Sequence, residues 1–331
     1  MTEAANKPPP PASLQRALAG FHPAAALLAA LELDLFAALA RAPLDAAALA
    51  EAISAKDATR LAALCDALVV HGFLARDAEG RYAPTPESAH YLVPGAPGFV
   101  GPIAPVYGRF FRGGLDFARA VREAKPTGAQ NSSEIAFLRG IHPSALANGR
   151  DIAKRIDLSG AARLVEVGCG GAGVSIALCR AFPGLTATAS DLAPALPAAR
   201  EFVAEAGLSA RIAVAEGDVL AGPPPGGPAD AVVARALLQV LGPDDAARAV
   251  ANMTLSLRPG GSLIVAGAVL DDDGLAPVDM VGFNLSLMTL FESGRAHTVS
   301  RHREWFAAAG LEAPERAILP AGGSLLWARK R

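Results

Sequence analysis

Cysteine is scarce in this 331-residue chain: Cys65, Cys169 and Cys179 are its only three, and none stands in a C-x-x-C spacing. That excludes a disulfide framework and a cysteine-based zinc cluster. Aromatic residues make up 5% and charged residues 19%, while hydrophobic residues reach 52%. Such a chain is not disordered and has ample material for a core. An excess of either charge is also missing, with 30 basic against 32 acidic residues and a formal charge of −2. No net positive field exists to hold a nucleic-acid backbone without regard to sequence. Nor is there an apolar run fit for a bilayer. The longest, Phe21–Ala40, carries Glu32 and Asp34 near its middle, and both are costly in hydrocarbon. Leu27, Leu31, Leu35 and Leu39 recur every four residues there, which predicts one amphipathic helix packed against protein. Residues 2–11, with four consecutive prolines, read as a disordered tail with no targeting signal. The expected location is cytoplasmic, with no membrane partner.

What is present is organised in blocks. Asp45 stands where a helix N-cap is wanted, before Ala46–Ile53, Asp57 or Thr59 can start a helix running to about His71, and Gly72 is a C-terminal stop. Phe73–Arg76, a turn at Asp77–Gly80, and Arg81–Pro84 complete a helix–helix–hairpin pattern, a winged helix over residues 12–98. Winged helices often bind DNA. Residues 1–98, however, hold seven basic against ten acidic residues, a net of −3. The would-be recognition helix offers Arg60 beside Asp57 and Asp66, so a packing or dimerisation module is the better reading. Pro94–Pro105 reads as a linker, and residues 99–158 as a linker and helical region with a polar break at Thr127–Ser133. From Ala162 onward β and α alternate. Strands are predicted near Arg163–Val167, Thr186–Ser190, Arg211–Ala215, Ala231–Ala234 and Ser262–Ala266. Helices are predicted at Val278–Leu290 and Arg301–Ala309, and Glu312–Leu319 with Ser324–Arg329 form an antiparallel hairpin. This predicts a doubly wound, mostly parallel sheet over residues 159–331.

The first strand of that sheet runs into Gly168-Cys-Gly170-Gly-Ala172-Gly173 and then into a helix. Glycines allow a sharp turn and close ligand approach, and amides at the helix start face the ligand. The G-x-G-x-x-G match alone admits a nicotinamide dinucleotide. Three carboxylates at successive strand ends move the reading to S-adenosylmethionine. Glu166 suits a cationic ammonium and sulfonium rather than a pyrophosphate. Asp191, followed by Leu192, can accept from both ribose hydroxyls. Asp218, followed by Val219, can accept the adenine amino group. Arg235, after the fourth strand, either packs along the adenosine or is a surface cation. No metal site is expected, since Asp271-Asp272-Asp273 reads as a solvated loop.

Glu166-Val-Gly-Cys-Gly-Gly-Ala-Gly, Phe182-Pro-Gly-Leu, Asp191-Leu, Ala206-Gly-Leu, Gly217-Asp218 and Arg258-Pro-Gly-Gly resemble the bacterial and plant small-molecule O-methyltransferase family. The resemblance covers nearly the whole chain. It implies a class I methyltransferase fold of seven strands with an α-rich winged-helix dimerisation domain, a homodimer, S-adenosylmethionine as donor and a small, aromatic secondary metabolite as acceptor. The family's third motif glycine is replaced by Ala172.

The larger departure is chemical. The resemblance implies a histidine base after the fourth strand and a carboxylate after the fifth. Gln239 and Gly267 stand in those places. Glutamine does not titrate; it can only hold a substrate by hydrogen bonds. Removing a phenol proton favours a base with pKa near 7. His142, in Arg139-Gly-Ile-His-Pro, is one substitute base, or else a helix-face histidine. His297, in Gly294-Arg-Ala-His-Thr, is another at the pocket rim, or else an exposed loop residue. Asn284, Met288 and Phe291 share a helix face that can line an apolar pocket or the core. Oxygen is the expected acceptor; carbon or nitrogen acceptors, and a bound cofactor used without methyl transfer, are the alternatives that the missing histidine leaves open.

Overall fold

The computed structural model describes residues 11–127, 134–320 and 323–331. The proline tail up to Pro10, the polar stretch 128–133 and residues 321–322 lie outside the described residues. The chain divides into two compact units with the boundary between Ala104 and Pro105, so the helices of residues 105–158 belong with the sheet.

The first unit runs α1 (Ala12–Ala19), α2 (His22–Glu32), α3 (Leu35–Leu39), α4 (Ala46–Ala52), α5 (Ala58–Val70), β1 (Leu74–Arg76), β2 (Tyr82–Pro84) and α6 (Pro86–Tyr91). Asp45 Oδ1 accepts from Ala48 N at 2.8 Å and Asp57 Oδ1 from Arg60 N at 2.9 Å, so both predicted caps form. Each satisfies an orphan amide of the first helical turn. The single helix predicted over Phe21–Ala40 is corrected to two. Asp34 adopts φ +51° between α2 and α3, and the bend lets Leu35, Phe36 and Leu39 join Leu49, Leu61, Leu68 and Leu74 in one core. The wing is closed by Asp66, which accepts from Tyr82 Oη at 2.9 Å and pairs with Arg76 at 2.8 Å. Arg60 pairs with Asp57 and Arg81 with Asp77. The basic residues of this face are therefore matched locally by carboxylates.

The second unit holds α7 (Ala104–Leu115), α8 (Phe117–Glu123), α9 (Ile135–Arg155), β3 (Arg163–Val167), α10 (Gly173–Ala181), β4 (Thr186–Asp191), α11 (Leu196–Glu205), β5 (Ile212–Glu216), β6 (Ala229–Arg235), α12 (Pro243–Leu255), β7 (Leu257–Gly267), β8 (Val269–Leu270), α13 (Val278–Leu290), β9 (His297–Thr298), α14 (Val299–Ala308), β10 (Glu315–Ile318) and β11 (Ser324–Arg329). The main sheet has the order β10-β11-β7-β6-β3-β4-β5. β7, β6, β3, β4 and β5 are parallel, and β11 runs antiparallel to both β7 and β10. The chain winds outward from β3 through β4 to β5, then returns to β6 on the other side. That reversal opens a crevice at the carboxyl end of β3, where ligands of such sheets bind. Val165, Val232, Val250, Met253, Leu263, Phe306 and Leu326 are buried among the residues of the main core. Strands buried on both faces need the near-continuous apolar runs that the sequence shows.

Candidate active site

Strand β3 feeds the glycine loop. Gly168 and Gly170 have φ of +65° and +52°, which glycine adopts freely. Ala172 follows at φ +53° with no exposed surface. Its methyl fits, but a left-handed backbone costs an L-residue roughly 1–2 kcal/mol.

Helix α9 lies along this loop residue by residue. A methyl added at Gly170 would stand 3.0 Å from Leu138 Cδ2, and one at Gly173 2.7 Å from Ala145 Cβ. A methyl at Gly171 would stand 2.4 Å from Phe202 Cδ2 of α11 and 2.9 Å from His142 Nδ1. From the other side, a methyl on Gly149 of α9 would meet Ala177 Cβ at 2.5 Å and Val174 Cα at 3.1 Å. The loop is glycine-rich because helices press on it, as well as for any ligand. Leu138, Ala145, Gly149 and Phe202 were missed in the sequence. The spacing of Ala145 and Gly149, small residues four apart on one helix face, was a signal for this close approach.

Asp191 ends β4 beside the loop. Its Oδ2 accepts from Gly170 N at 2.7 Å and its Oδ1 from Leu192 N at 2.8 Å. Each carboxylate oxygen keeps a further lone pair. Burial raises the carboxyl's pKa, and the two amides oppose that shift. Leu192 is 51% exposed next to it. Asp218 Oδ1 accepts from Leu220 N at 2.8 Å. Val219 is buried in the main core, and its carbonyl accepts from Asn252 Nδ2 at 2.7 Å.

The assignment of Glu166 as a direct ligand for a cation is corrected. Its side chain is buried, and Oε2 accepts from Ser175 N at 2.8 Å. It caps α10 from within the fold, where a helix start favours negative charge. Desolvation pushes its pKa up to about 7 against those hydrogen bonds and the nearby Arg235. Arg235 is no surface cation. Its Nε donates to Asn148 Oδ1 at 2.9 Å and a terminal nitrogen to Ser144 Oγ at 2.7 Å, tying β6 to α9. Burial pulls its pKa down to about 10.

The turn after β6 is built differently. Gln239 is 8% exposed, and its Oε1 accepts from Ala268 N at 2.7 Å. A methyl on Gly267 would stand 2.7 Å from that oxygen, so glutamine at 239 and glycine at 267 are a matched pair. Gln239 O accepts from Arg295 N at 2.9 Å. The reading of His297 as a residue at the pocket rim, or on an exposed loop, is corrected. It is 5% exposed, its Nε2 lies 3.1 Å from both Leu238 O and Leu241 O, and its ring packs on Trp305. That nitrogen donates to two carbonyls and is spent on holding the turn. Desolvation lowers its pKa, and the neighbouring His302 is pushed down to about 4 for the same reason. Asn284 Oδ1 accepts from Ala296 N at 2.7 Å, another tether of this segment. Met288 is 42% exposed on α13. Phe291 caps the end of that helix and packs with Ala268, Leu270 and Leu287.

His142 sits on α9 with its ring 4.4 Å from that of Phe202, and its buried Nδ1 has no hydrogen-bond partner. Desolvation, with Arg139, Arg180 and Arg235 adding to it, lowers its pKa to about 4. It is therefore neutral at pH 7 but weakly basic. In the acidic run, Asp271 pairs with Arg316 and Asp272 Oδ1 accepts from Ser300 N. Among the described residues, no group of three metal-ligating side chains gathers, and no helix is long and apolar enough to cross a membrane.

A mostly parallel sheet with an antiparallel carboxyl-terminal hairpin, a glycine loop at the switch point and an acid at the next strand end define an S-adenosylmethionine-dependent methyltransferase. Residues 115–312 match the O-methyltransferase domain and residues 15–94 the O-methyltransferase dimerisation domain. The chain belongs to the O-methyltransferase family. It is 32% identical to the 3-hydroxy-5-methyl-1-naphthoate 3-O-methyltransferase of Streptomyces sahachiroi, over 86% of this chain and 84% of that one. It is 26% identical to the tetracenomycin polyketide synthesis 8-O-methyl transferase of Streptomyces glaucescens, over 97% of each chain. The fold matches human N-acetylserotonin methyltransferase, solved in complex with S-adenosylmethionine, with a TM-score of 0.86 at 23% identity over 98% of this chain and 99% of that one.

The residues present fit that donor. Asp191 is fixed by two amides with lone pairs to spare, the exposed apolar Leu192 adjoins it, and Gly168 and Gly170 hold the backbone open.

Proposed function

We propose that this O-methyltransferase acts on a phenolic hydroxyl of a planar aromatic metabolite, as a cytoplasmic homodimer joined through residues 15–94. S-adenosylmethionine, when bound, supplies an electrophilic methyl group. The chain's share of the work is positioning and exclusion of water. Asp191 accepts from the ribose hydroxyls, Leu192 covers one adenosine face, and Asp218 accepts from the adenine amino group. Glu166 acts indirectly, by fixing the start of α10. Arg235 acts from behind the site, by holding α9 to β6.

The observation that carries this reading is Asp191, both oxygens oriented by Gly170 N and Leu192 N at the switch point of the sheet. The acceptor side supports a phenol that ionises easily. The turn Leu238–Val240 has no titratable side chain, and Gln239 has already committed its oxygen to Ala268. A phenol whose ring stabilises the phenolate releases its proton to water with little help. The names of the two relatives above, a hydroxynaphthoate 3-O-methyltransferase and a polyketide-synthesis 8-O-methyl transferase, support an oxygen acceptor.

Calorimetry with S-adenosylmethionine and S-adenosylhomocysteine tests the donor half, with Asp191→Ala as control. Mass spectrometry of a hydroxynaphthoate and hydroxyanthraquinone panel tests the acceptor half. A methyl ether and S-adenosylhomocysteine in equal amounts are expected. Methylation of carbon or nitrogen alone, or turnover without S-adenosylhomocysteine, overturns the reading.

A further inference from the structure

His142 stands against the glycine loop, its Nδ1 2.9 Å from where a methyl on Gly171 would lie. The ring stands beside that of Phe202 of α11, and both side chains face Gly171 of the loop. Arg139, one turn earlier on α9, stacks over the far partner at 5.1 Å from the Phe202 ring and pairs with Glu201 of α11. So α9 presents the imidazole to the loop, and Phe202 of α11, held by Arg139, packs beside it. Its Nδ1 is buried without a partner. A nitrogen so placed contributes no hydrogen bond to the fold.

The loop residue under that ring is coupled to the ribose carboxylate. Gly171 follows Gly170, whose amide donates to Asp191 Oδ2 at 2.7 Å. A shift of the ring moves that amide, and with it the orientation of Asp191. We propose that His142 is a positioning residue for the donor site: its ring, held by Phe202, sets the Gly170–Gly171 backbone that aims Asp191, and it takes no proton from the acceptor. The inference rests on the donor reading above.

The test is a series at one position. His142→Ala is expected to weaken S-adenosylmethionine binding at least tenfold by calorimetry, while kcat at saturating donor changes less than threefold. The kcat profile between pH 6 and 9 should keep its shape, because the buried ring is neutral throughout that range and its removal takes no charge from the site. His142→Phe, which keeps a flat ring and removes both nitrogens, should restore affinity to within about threefold of the parent. A general base would behave oppositely, with kcat falling by about 10²–10⁴ in both variants and no rescue by phenylalanine. That result overturns the proposal, as does a His142→Ala protein that binds the donor as tightly as the parent. If the alanine variant does not fold, the phenylalanine variant alone decides, since a base reading demands its inactivity. Failure of the parent itself to bind S-adenosylmethionine is a different outcome and sinks the donor reading instead.

Discussion

The two halves of the sheet's carboxyl edge use their polar groups in opposite ways. On the β3–β4 side, Asp191 is oriented by two backbone amides and retains lone pairs for a ligand. On the β6–β7 side, Gln239, Asn284 and His297 are consumed by Ala268 N, Ala296 N and two carbonyls. The first half leaves hydrogen-bonding capacity open, and the second is braced. A residue type that looks catalytic in a sequence is free to act only if the backbone around it leaves it unsatisfied.

The sharpest way to break this contrast is Asp191→Ala. Losing a charged acceptor for two hydroxyls is worth about 3 kcal/mol, so the Kd for S-adenosylmethionine should rise roughly 100-fold, as titration calorimetry would reveal. An unchanged Kd would place the donor elsewhere.

A second test exploits opposite pH slopes. His302 is held neutral in the fold, falling from 6.5 to about 4. The unfolded chain takes up that proton first, so this contribution is full above pH 6.5 and is lost as pH falls toward 4. It amounts to about 3 kcal/mol. Glu166 is raised from 4.5 to about 7, so its contribution is full below pH 4.5 and is lost as pH rises toward 7. The two partly cancel in the native chain. Urea unfolding of Glu166→Gln should show a steeper rise in stability between pH 4.5 and 7, and His302→Gln a flatter or inverted one. Parallel curves for all three proteins would refute the assignment.

Crowding distinguishes the halves again. Gly149→Val should destabilise by about 1–3 kcal/mol in urea melts, because backbone of α10 stands in the way. Gly267→Asp should cost a similar or smaller amount, and Gln239→Ala in the same chain should recover most of it, since the obstacle is one side-chain oxygen. Additive losses would show that the two positions are not matched. Smallest of all, Ala172→Gly relieves the left-handed strain and should raise stability by about 0.5–1 kcal/mol.

Much of the architecture could be read in advance. Strands at Arg163, Thr186, Arg211, Ala231 and Ser262 lie within a few residues of β3 to β7, because strands buried on both faces are continuous apolar runs with glycine and proline between them. Asp45 and Asp57 were legible as caps because capping is a local interaction. Phe21–Ala40 misled, since a four-residue leucine period does not register a bend at Asp34 that exists to seat Leu35 and Phe36 in the core. Glu166 was found at the right place and given the wrong partner: a strand end can face a ligand or the start of the next helix, and spacing alone does not distinguish them.

The sequence by itself determined the fold class and placed the glycine loop and Asp191 at successive strand ends, since each is a matter of residue type at a fixed step along the chain. Only the tertiary structure decided which polar atoms are already satisfied. His297 is spent on two carbonyls of a turn more than fifty residues away, His142 packs beside a ring sixty residues on, and Gln239 fills the space that Gly267 leaves. Hydrogen bonds and close packing act at about 3–4 Å between groups distant in sequence, so what such a residue can do is settled by where the fold brings its neighbours.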